Sequence, residues 1–366
     1  MAGQKHGARR QKLLQKLRDS GVDALLITNF TNVSYLTGFS GDDSYLLIGK
    51  KLTLLISDSR YETQLSEECP DLEVFIRRPT MSMNQAVVRA IKQAKLGKIG
   101  FESSAMTFDE WETLRDGVPE AELLPLAGLV EELRMIKDAD EIAEIRLAIR
   151  QAERGFATLR ATLRREQTEL EVAHDLEHAM RRFGAQGASF PPIVAVGPRA
   201  ALPHARPTEA RIADADFVLV DWGANSSQRY KSDLTRVLVT GKPSAKLRKV
   251  YEIVLTAQLA GIAAIRPGVR CCDVDKAARD VIAQAGHAKA FGHSLGHGIG
   301  LDIHEGPRLS GSSQMELKPG MVVTVEPGIY LPGWGGVRIE DDVLVTRDGC
   351  EVLTSVPKDF DSAIID

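Results

Sequence analysis

Residues 292–305, with the sequence GHSLGHGIGLDIHE, hold three histidines and four glycines in fourteen positions. His293 and His297 are four residues apart, a spacing that on a helix places two metal ligands on one face. An interior glycine costs a helix about 1 kcal/mol relative to alanine, so we expect this segment to be extended or looped instead. His297 and His304 are seven residues apart and can address one site only if the chain bends between them, at the glycines. The alternative is a glycine-rich loop whose histidines hydrogen-bond locally.

Four carboxylates accompany apolar strand patterns elsewhere in the same half of the chain. Asp221 ends the run FVLV, Asp233 opens the run LTRVLV, and a hairpin would bring the two together. Glu326 ends the apolar part of MVVTVEPGIY, and Glu340 falls within the strand pattern GGVRIEDDVLV. Each could be a turn or exposed edge residue. Carboxylates are almost never buried unless they are paired or bind metal, so together with one histidine they predict a cation pocket.

The charge of this set suggests how many ions it holds. Four carboxylates carry four negative charges, which two divalent ions neutralise and one does not. Oxygen-rich ligation with a single imidazole favours Mn or Co, with Fe or Zn as alternatives. Two ions about 3.5 to 4 Å apart can share a hydroxide and polarise a carbonyl, which is a route to hydrolysis.

The 366 residues suggest two domains, and residues 1–130 predict an α/β domain. Short apolar runs alternate there with helical patterns such as the one that starts at residue 83. Neither a GxxxxGK loop nor a strand-GxGxxG-helix pattern occurs in this half. The predicted strands are 23–28, 44–49, 52–57, 72–77 and 98–103.

Residues 131–366 predict an α+β domain that follows the first. Good helix formers over residues 131–165 predict a bridging helix, whose main part Asp138 or Asp140 could cap. Beyond it, strand patterns alternate with a few helices. The further predicted helices are 168–184, 244–265 and 274–286.

The first of these helices in chain order offers a second histidine pair. His174 and His178 are four residues apart on a helical pattern and could be metal ligands. Their acidic neighbours favour a solvated helix face instead.

Bulk composition excludes several classes of protein. A formal net charge of −4 gives no basic field for nucleic acid. No run approaches the 18 or more apolar residues of a membrane span. Four cysteines without a paired spacing make neither a disulfide framework nor a metal knuckle. We expect a reduced, cytoplasmic protein that binds neither nucleic acid nor membrane.

Four motifs in chain order resemble the metal-binding motifs of the pita-bread metallopeptidases: VDWGA with SDLTR, GHSLGHGIGLDIHE, VEPGIY and VRIEDD. That family includes methionine aminopeptidases, Xaa-Pro aminopeptidases and prolidases, with creatinase as a relative that uses no metal. NVSYLTGFSG, ISDSRYETQ and LRMIKDADEIAEIR resemble the amino-terminal domain and linker of the proline-directed members. The short interval from Glu326 to Glu340 resembles compact Xaa-Pro peptidases. The resemblance implies a creatinase/prolidase-like domain over 1–130 and a pita-bread catalytic domain over 131–366.

The resemblance also implies a set of metal ligands. Asp221 would hold one ion, Asp233 and Glu340 would bridge both, and His297 and Glu326 would complete the other. Glu326 would in addition carry the proton of the attacking water.

Residues around those ligands match further positions of the family. His304 would stabilise the tetrahedral oxyanion, while His204 and His293 would contact the substrate near the scissile bond. Tyr330 and Arg338 match outer positions that orient ligands and substrate.

The implied activity is that of a dinuclear metallo-aminopeptidase. It would hydrolyse the amino-terminal Xaa-Pro bond of a peptide by attack of a metal-bridging hydroxide. The alternative is an Xaa-Pro dipeptidase, or prolidase, which must also bind the free carboxylate of its product. A creatinase-like hydrolase and a non-catalytic binding module both require replaced ligands, whereas all five positions are present. The resemblance further implies a homodimer.

One spacing departs from the family pattern. Asp221 and Asp233 are one residue further apart than in the usual hairpin. An added residue within the strands would turn one aspartate to the opposite face, whereas one in the turn would leave both directions unchanged. The polar sequence ANSSQR favours the turn.

Overall fold

The computed structural model describes residues 2–365, with the backbone alone at residues 2–4. The chain forms two compact units that divide between Arg134 and Met135. Within the described residues, no helix combines the length and apolar character needed to cross a membrane. Each unit has its own elements and its own buried core.

The first unit is an α/β layer built on one six-stranded sheet with the order β4-β3-β2-β1-β5-β6. β1 pairs antiparallel with β2 and parallel with β5. All four residues of β1 are buried, which fits its apolar run between two neighbours. The strands are β1 Ala24–Ile27, β2 Tyr45–Gly49, β3 Leu52–Asp58, β4 Glu73–Arg77, β5 Lys98–Glu102 and β6 Glu122–Leu126; the helices are α1 Ala2–Leu17, α2 Phe30–Thr37, α3 Glu62–Glu68, α4 Met83–Ala94, α5 Phe108–Gly117 and α6 Leu129–Arg134.

Each of the five strands predicted in this half is present, and β6 is an addition. β6 contains Pro125 and lies at the edge of the sheet. Proline has no backbone N–H to donate to a neighbouring strand, so it is tolerated at the edge of a sheet. It also weakens the strand pattern in the sequence, and β6 was therefore not predicted.

The second unit is an α+β layer in which all strand pairs are antiparallel. Its two larger sheets have the orders β11-β9-β8 and β13-β12-β14-β17-β18. The strands are β7 Gly187–Ala188, β8 Ile193–Val196, β9 Phe217–Trp222, β10 Ala224–Asn225, β11 Leu234–Val239, β12 Gly296–Gly298, β13 Glu305–Leu309, β14 Val322–Val325, β15 Gly328–Leu331, β16 Gly335–Arg338, β17 Asp341–Val345 and β18 Cys350–Val352; the helices are α7 Ala139–Thr162, α8 Glu169–Arg182, α9 Ala245–Ala264 and α10 Cys271–Gln284.

The hairpin of β9 and β11 sets the directions of the two aspartates. Asp221 lies opposite Thr235 in the register. Asp233 is two residues before Thr235, so it points to the same face as Asp221 and lies diagonally beside it. An isolated bridge joins Asn225 to Lys231 and closes the turn between the strands. The bridge continues the register of β9 and β11, so both aspartates keep one face, which agrees with the prediction that the extra residue lies in the turn ANSSQR.

Two predicted elements differ from the structure. The bridging helix predicted over 131–165 is two helices, because α6 ends at Arg134 and α7 begins after Asp138, whose side chain caps it by accepting from the Glu141 amide. Glu340 was predicted within a strand but lies between β16 and β17, with one isolated bridge to Thr235. The chain must leave the β15 and β16 pair there and enter a different sheet.

The close approach at Gly223 generates a stability prediction. A Cβ at this position would lie 1.8 Å from the Ser232 carbonyl oxygen and 2.2 Å from Ser189 Oγ. We expect Gly223→Ala to lower the free energy of unfolding by about 1 to 3 kcal/mol, because backbone must move to make room. Chemical unfolding measures the change. Gly349→Ala is the control, since no described heavy atom lies within 4 Å of its added Cβ; equal effects of the two changes would contradict the account.

Candidate metal centre

The five predicted ligands converge on one cavity of the second unit, with a volume of about 610 Å³. β9 supplies Asp221, Asp233 immediately precedes β11, β12 supplies His297, and the ends of β14 and β16 lead into the two glutamates. His204, His293, His304 and Arg338 also line the cavity. The structure thus brings together the predicted ligands, the three other predicted histidines and Arg338; Tyr330 lies immediately behind the wall. Their functional roles stay predictions.

His297 is held with one ring nitrogen facing the carboxylates. The register of β12 against β13 shifts between His297 and Gly298, which is the bend expected from the glycines. Its Nδ1 lies 3.1 Å from the Gly298 carbonyl oxygen and therefore donates to it. Nε2 then faces Asp233 Oδ2 at 3.6 Å and Glu326 Oε1 at 3.5 Å. Burial lowers the pKa of His297 to about 4, so the ring is neutral and has a free lone pair.

The acidic side chains are strongly perturbed by one another. Burial, and then the charges of Glu340 and Asp221, raise the pKa of Asp233 well above its ordinary value. Burial and the charges of Glu326 and Asp221 do the same for Glu340. Burial raises the pKa of Glu326 to about 8, although the charge of Arg338 opposes it. Such a cluster is unfavourable as an isolated group of anions, because each charge loses solvation and meets like charges.

The donor set fits divalent cations. Ligand atoms of Asp233, His297 and Glu340 all lie within 4.8 Å of one another. Oδ1 of Asp221 is buried and has no hydrogen-bond partner in the described part of the chain. Carboxylate oxygens around one neutral imidazole are the ligands that Mn and Co accept. A buried acceptor without a partner and a surplus of buried negative charge both point to a bound cation.

Arg338 and Thr235 hold the carboxylates from behind. Arg338 donates from Nη2 to Asp221 Oδ2, and from Nε to Thr235 Oγ1 at 3.0 Å. Thr235 in turn donates to Glu340 Oε2 at 2.6 Å. Arg338 therefore orients Asp221 directly and Glu340 through Thr235. Thr235 is not among the residues predicted from the sequence, although its position in SDLTR, two residues after Asp233, places it on the same strand face.

Tyr330 extends this support to His293. The Tyr330 hydroxyl accepts from Arg338 Nη1 at 2.8 Å and lies 2.9 Å from His293 Nε2. His293 Nδ1 lies 2.8 Å from the Ser294 carbonyl oxygen and donates to it, so Nε2 accepts from Tyr330. Burial lowers the pKa of His293 to about 4, in accord with a neutral ring. Tyr330 and Arg338 thus lie in the outer position that the sequence analysis expects.

His204 and His304 are the exposed histidines of the cavity wall. The His304 ring stands edge-on to His297, with 4.4 Å between centroids. His174 and His178 lie on the exposed face of α8 and do not line the cavity.

The wall also contains residues that the sequence analysis did not identify. One part is apolar, and another carries two guanidinium groups. None of these residues belongs to a ligand pattern, so spacing gives no signal for them. The apolar residues are Phe190, Pro191, Pro192, Ile193 and Ile303, and the arginines are Arg206 and Arg308.

Two segments of the chain match described protein families. Residues 143–347 match metallopeptidase family M24. Residues 9–136 match the creatinase/prolidase amino-terminal domain. Together they account for most of both units.

Several relatives are similar to this chain along nearly their whole length. The solved structure of an Xaa-Pro dipeptidase from Bacillus anthracis is 40% identical, has a TM-score of 0.92, and covers 96% of this chain and 98% of its own. The X-Pro aminopeptidase from Thermotoga maritima MSB8 is 37% identical with a TM-score of 0.86, and covers 94% and 98%. The Xaa-Pro dipeptidase of Pyrococcus horikoshii is 36% identical over 352 residues, 96% of this chain and 97% of that protein. These similarities confirm the resemblance and the predicted fold class.

Metal binding should stabilise the second unit. We expect Mn²⁺ at 100 times its dissociation constant to raise the free energy of unfolding by about 2.7 kcal/mol, because the ion binds only the folded carboxylates. Glu340→Gln should lose this gain, yet be at least as stable as the original chain without metal, since it removes repulsion.

Unfolding followed with and without Mn²⁺ measures both effects. His174→Ala is the control and should keep the full gain. Equal stabilisation of Glu340→Gln and the original chain would contradict the assignment.

Proposed function

Because the chain belongs to metallopeptidase family M24, we propose that it is an Xaa-Pro dipeptidase that requires two divalent metal ions. The names of two of the three relatives described above support the dipeptidase over the aminopeptidase. The name of the Thermotoga relative keeps the Xaa-Pro aminopeptidase as a second candidate. Substrate length distinguishes them, since a dipeptide presents its own carboxylate beside the bond that is cut.

The observation that carries the proposal is the presence of Arg206 and Arg308 in the cavity wall. A guanidinium binds a carboxylate with two parallel hydrogen bonds, a geometry that suits the free end of a dipeptide. Nε of Arg308 lies 3.5 Å from Ser294 Oγ, a long contact that leaves the guanidinium available to a substrate. A longer peptide would have to place an uncharged peptide group at the same position.

The apolar part of the wall suits proline. The Xaa-Pro bond is a tertiary amide without an N–H, and the proline ring fixes φ. Recognition therefore depends on shape and apolar contact, which Phe190, Pro192 and Ile303 provide.

Five side chains would hold the ions, namely Asp221, Asp233, His297, Glu326 and Glu340. When bound, the ions supply an activated water and an electrophile for the carbonyl oxygen. The same charges would offset the burial and the mutual repulsion that raise the pKa values of Asp233 and Glu340.

Glu326 would move the proton. Its Oε1 lies 3.4 Å from Thr324 Oγ1, which orients the carboxylate toward the cavity. It would accept a proton from the attacking water and deliver it to the proline nitrogen, which must be protonated to leave. His304 and His204 would donate to the oxygen that becomes negative in the tetrahedral state.

We also propose a location and an assembly for the enzyme. Four free cysteines support a reducing, cytoplasmic location. A homodimer is the assembly that the resemblance implies.

A small peptide panel tests the proposal. Leu-Pro, Leu-Pro amide and Leu-Pro-Leu are assayed with Mn²⁺ and after treatment with a chelator. We expect Leu-Pro to have the highest kcat/KM and the chelator to abolish its cleavage. Arg308→Met should weaken transition-state binding by about 1.5 to 3 kcal/mol for Leu-Pro, the worth of a charged hydrogen bond, and by much less for the amide.

The controls separate recognition from catalysis. Arg266→Met removes an exposed arginine outside the cavity and should change nothing. Glu326→Gln should abolish turnover of every substrate without unfolding the chain. Preference for the tripeptide, with no effect of Arg308→Met, would favour the aminopeptidase; undiminished cleavage without metal would refute both.

A further inference from the structure

The linker motif LRMIKDADEIAEIR has no part in the function proposed so far. Its residues 135–138 belong to the second unit. The amide of Lys137 donates to the Gly320 carbonyl at 2.9 Å. A Cβ added at Gly306 would lie 2.7 Å from Met135 Sδ, which shows how closely the segment packs there. The segment therefore runs beside the start of β13, next to the loop that carries His304.

Lys137 forms a buried ion pair with Glu305. The ammonium lies 3.1 Å from Glu305 Oε2, with the two side chains 1% and 6% exposed. Burying two charges is costly unless each is well paired, and removing one partner leaves the other uncompensated. The lysine thus fixes where the carboxylate of Glu305 lies.

That carboxylate shapes the bend between β12 and β13. Its other oxygen, Oε1, accepts from the Asp302 amide at 3.0 Å. The Gly300 amide donates to the Asp302 carbonyl at 3.1 Å, which tightens the same bend. A Cβ at Gly300 would lie 2.8 Å from both carboxylate oxygens, so only glycine lets Glu305 reach in. His304 is the last residue of the bend.

We propose that Lys137 and Glu305 are positioning residues, whose buried ion pair braces the bend over residues 299–304 and sets the ring of His304 in the cavity. The inference deepens the proposed function and rests on it for the role of His304. Besides joining the two units, the linker would then position His304 through Lys137.

A double-mutant cycle tests whether Lys137 acts through His304. kcat and KM for Leu-Pro are measured for the original chain, Lys137→Met, His304→Ala and the double variant. We expect Lys137→Met to lower kcat roughly 10- to 100-fold, as small displacements of catalytic groups do, with little change in KM. In the His304→Ala background it should cause no further loss, and Lys137→Arg should restore most of kcat. Losses that multiply, or an unchanged kcat, would overturn the proposal.

Amide hydrogen exchange gives a readout that needs neither substrate nor metal. Lys137→Met should speed exchange at the Asp302 amide while α8 remains as protected as before. Lys318→Met, which removes a nearby exposed lysine, is the control. Unchanged protection at Asp302 would overturn the brace, even if Xaa-Pro cleavage is confirmed. Faster exchange would support it, even if the chain cleaves no Xaa-Pro peptide.

If Lys137→Met does not fold, Glu305→Gln removes the same ion pair and replaces it in both experiments. The same results are expected of it, and the same results would overturn the proposal.

Discussion

The arrangement of the second unit depends on one electrostatic constraint, the convergence of four largely buried carboxylates on one cavity. Each carboxylate loses solvation on burial and repels the others, so the cluster is unfavourable until positive charge enters it. Arg338 supplies one such charge and pairs with Asp221. The remaining negative charge is what makes the cavity a site for cations.

Because the four carboxylates repel one another, they must be held from outside the cavity. Arg338 and Thr235 brace Asp221 and Glu340, as described above. Behind Glu340, Arg236 donates to its main-chain carbonyl at 2.6 Å and pairs with the buried Asp341. The Asp233 amide donates to Asp342 Oδ2 at 3.1 Å. Backbone and side chains of the ligand strands are thus fixed by hydrogen bonds that do not use the ligand atoms facing His297.

Sequence patterns predict most of the elements, because elements depend on local spacing, and the family resemblance supplies the candidate ligands that the structure brings to one cavity. Apolar runs identify the strands, and the glycines correctly exclude a helix at His297. Asp138 was also one of the two predicted caps, and it does begin the main helix. The position of Glu340 outside a strand depends on where the chain changes its packing partner, which local patterns do not show. Contacts between distant residues, such as Lys137 with Glu305, leave no periodic signal at all. The sequence gives no signal for Arg308 either, because a single arginine forms no motif.

Anomalous X-ray scattering at the Mn absorption edge, from crystals grown with Mn²⁺, tests the central claim most directly. We predict two peaks about 3.5 to 4 Å apart, with Asp233 and Glu340 between them and His297 and Asp221 on opposite ions. A single peak, or no peak within reach of these side chains, would contradict it.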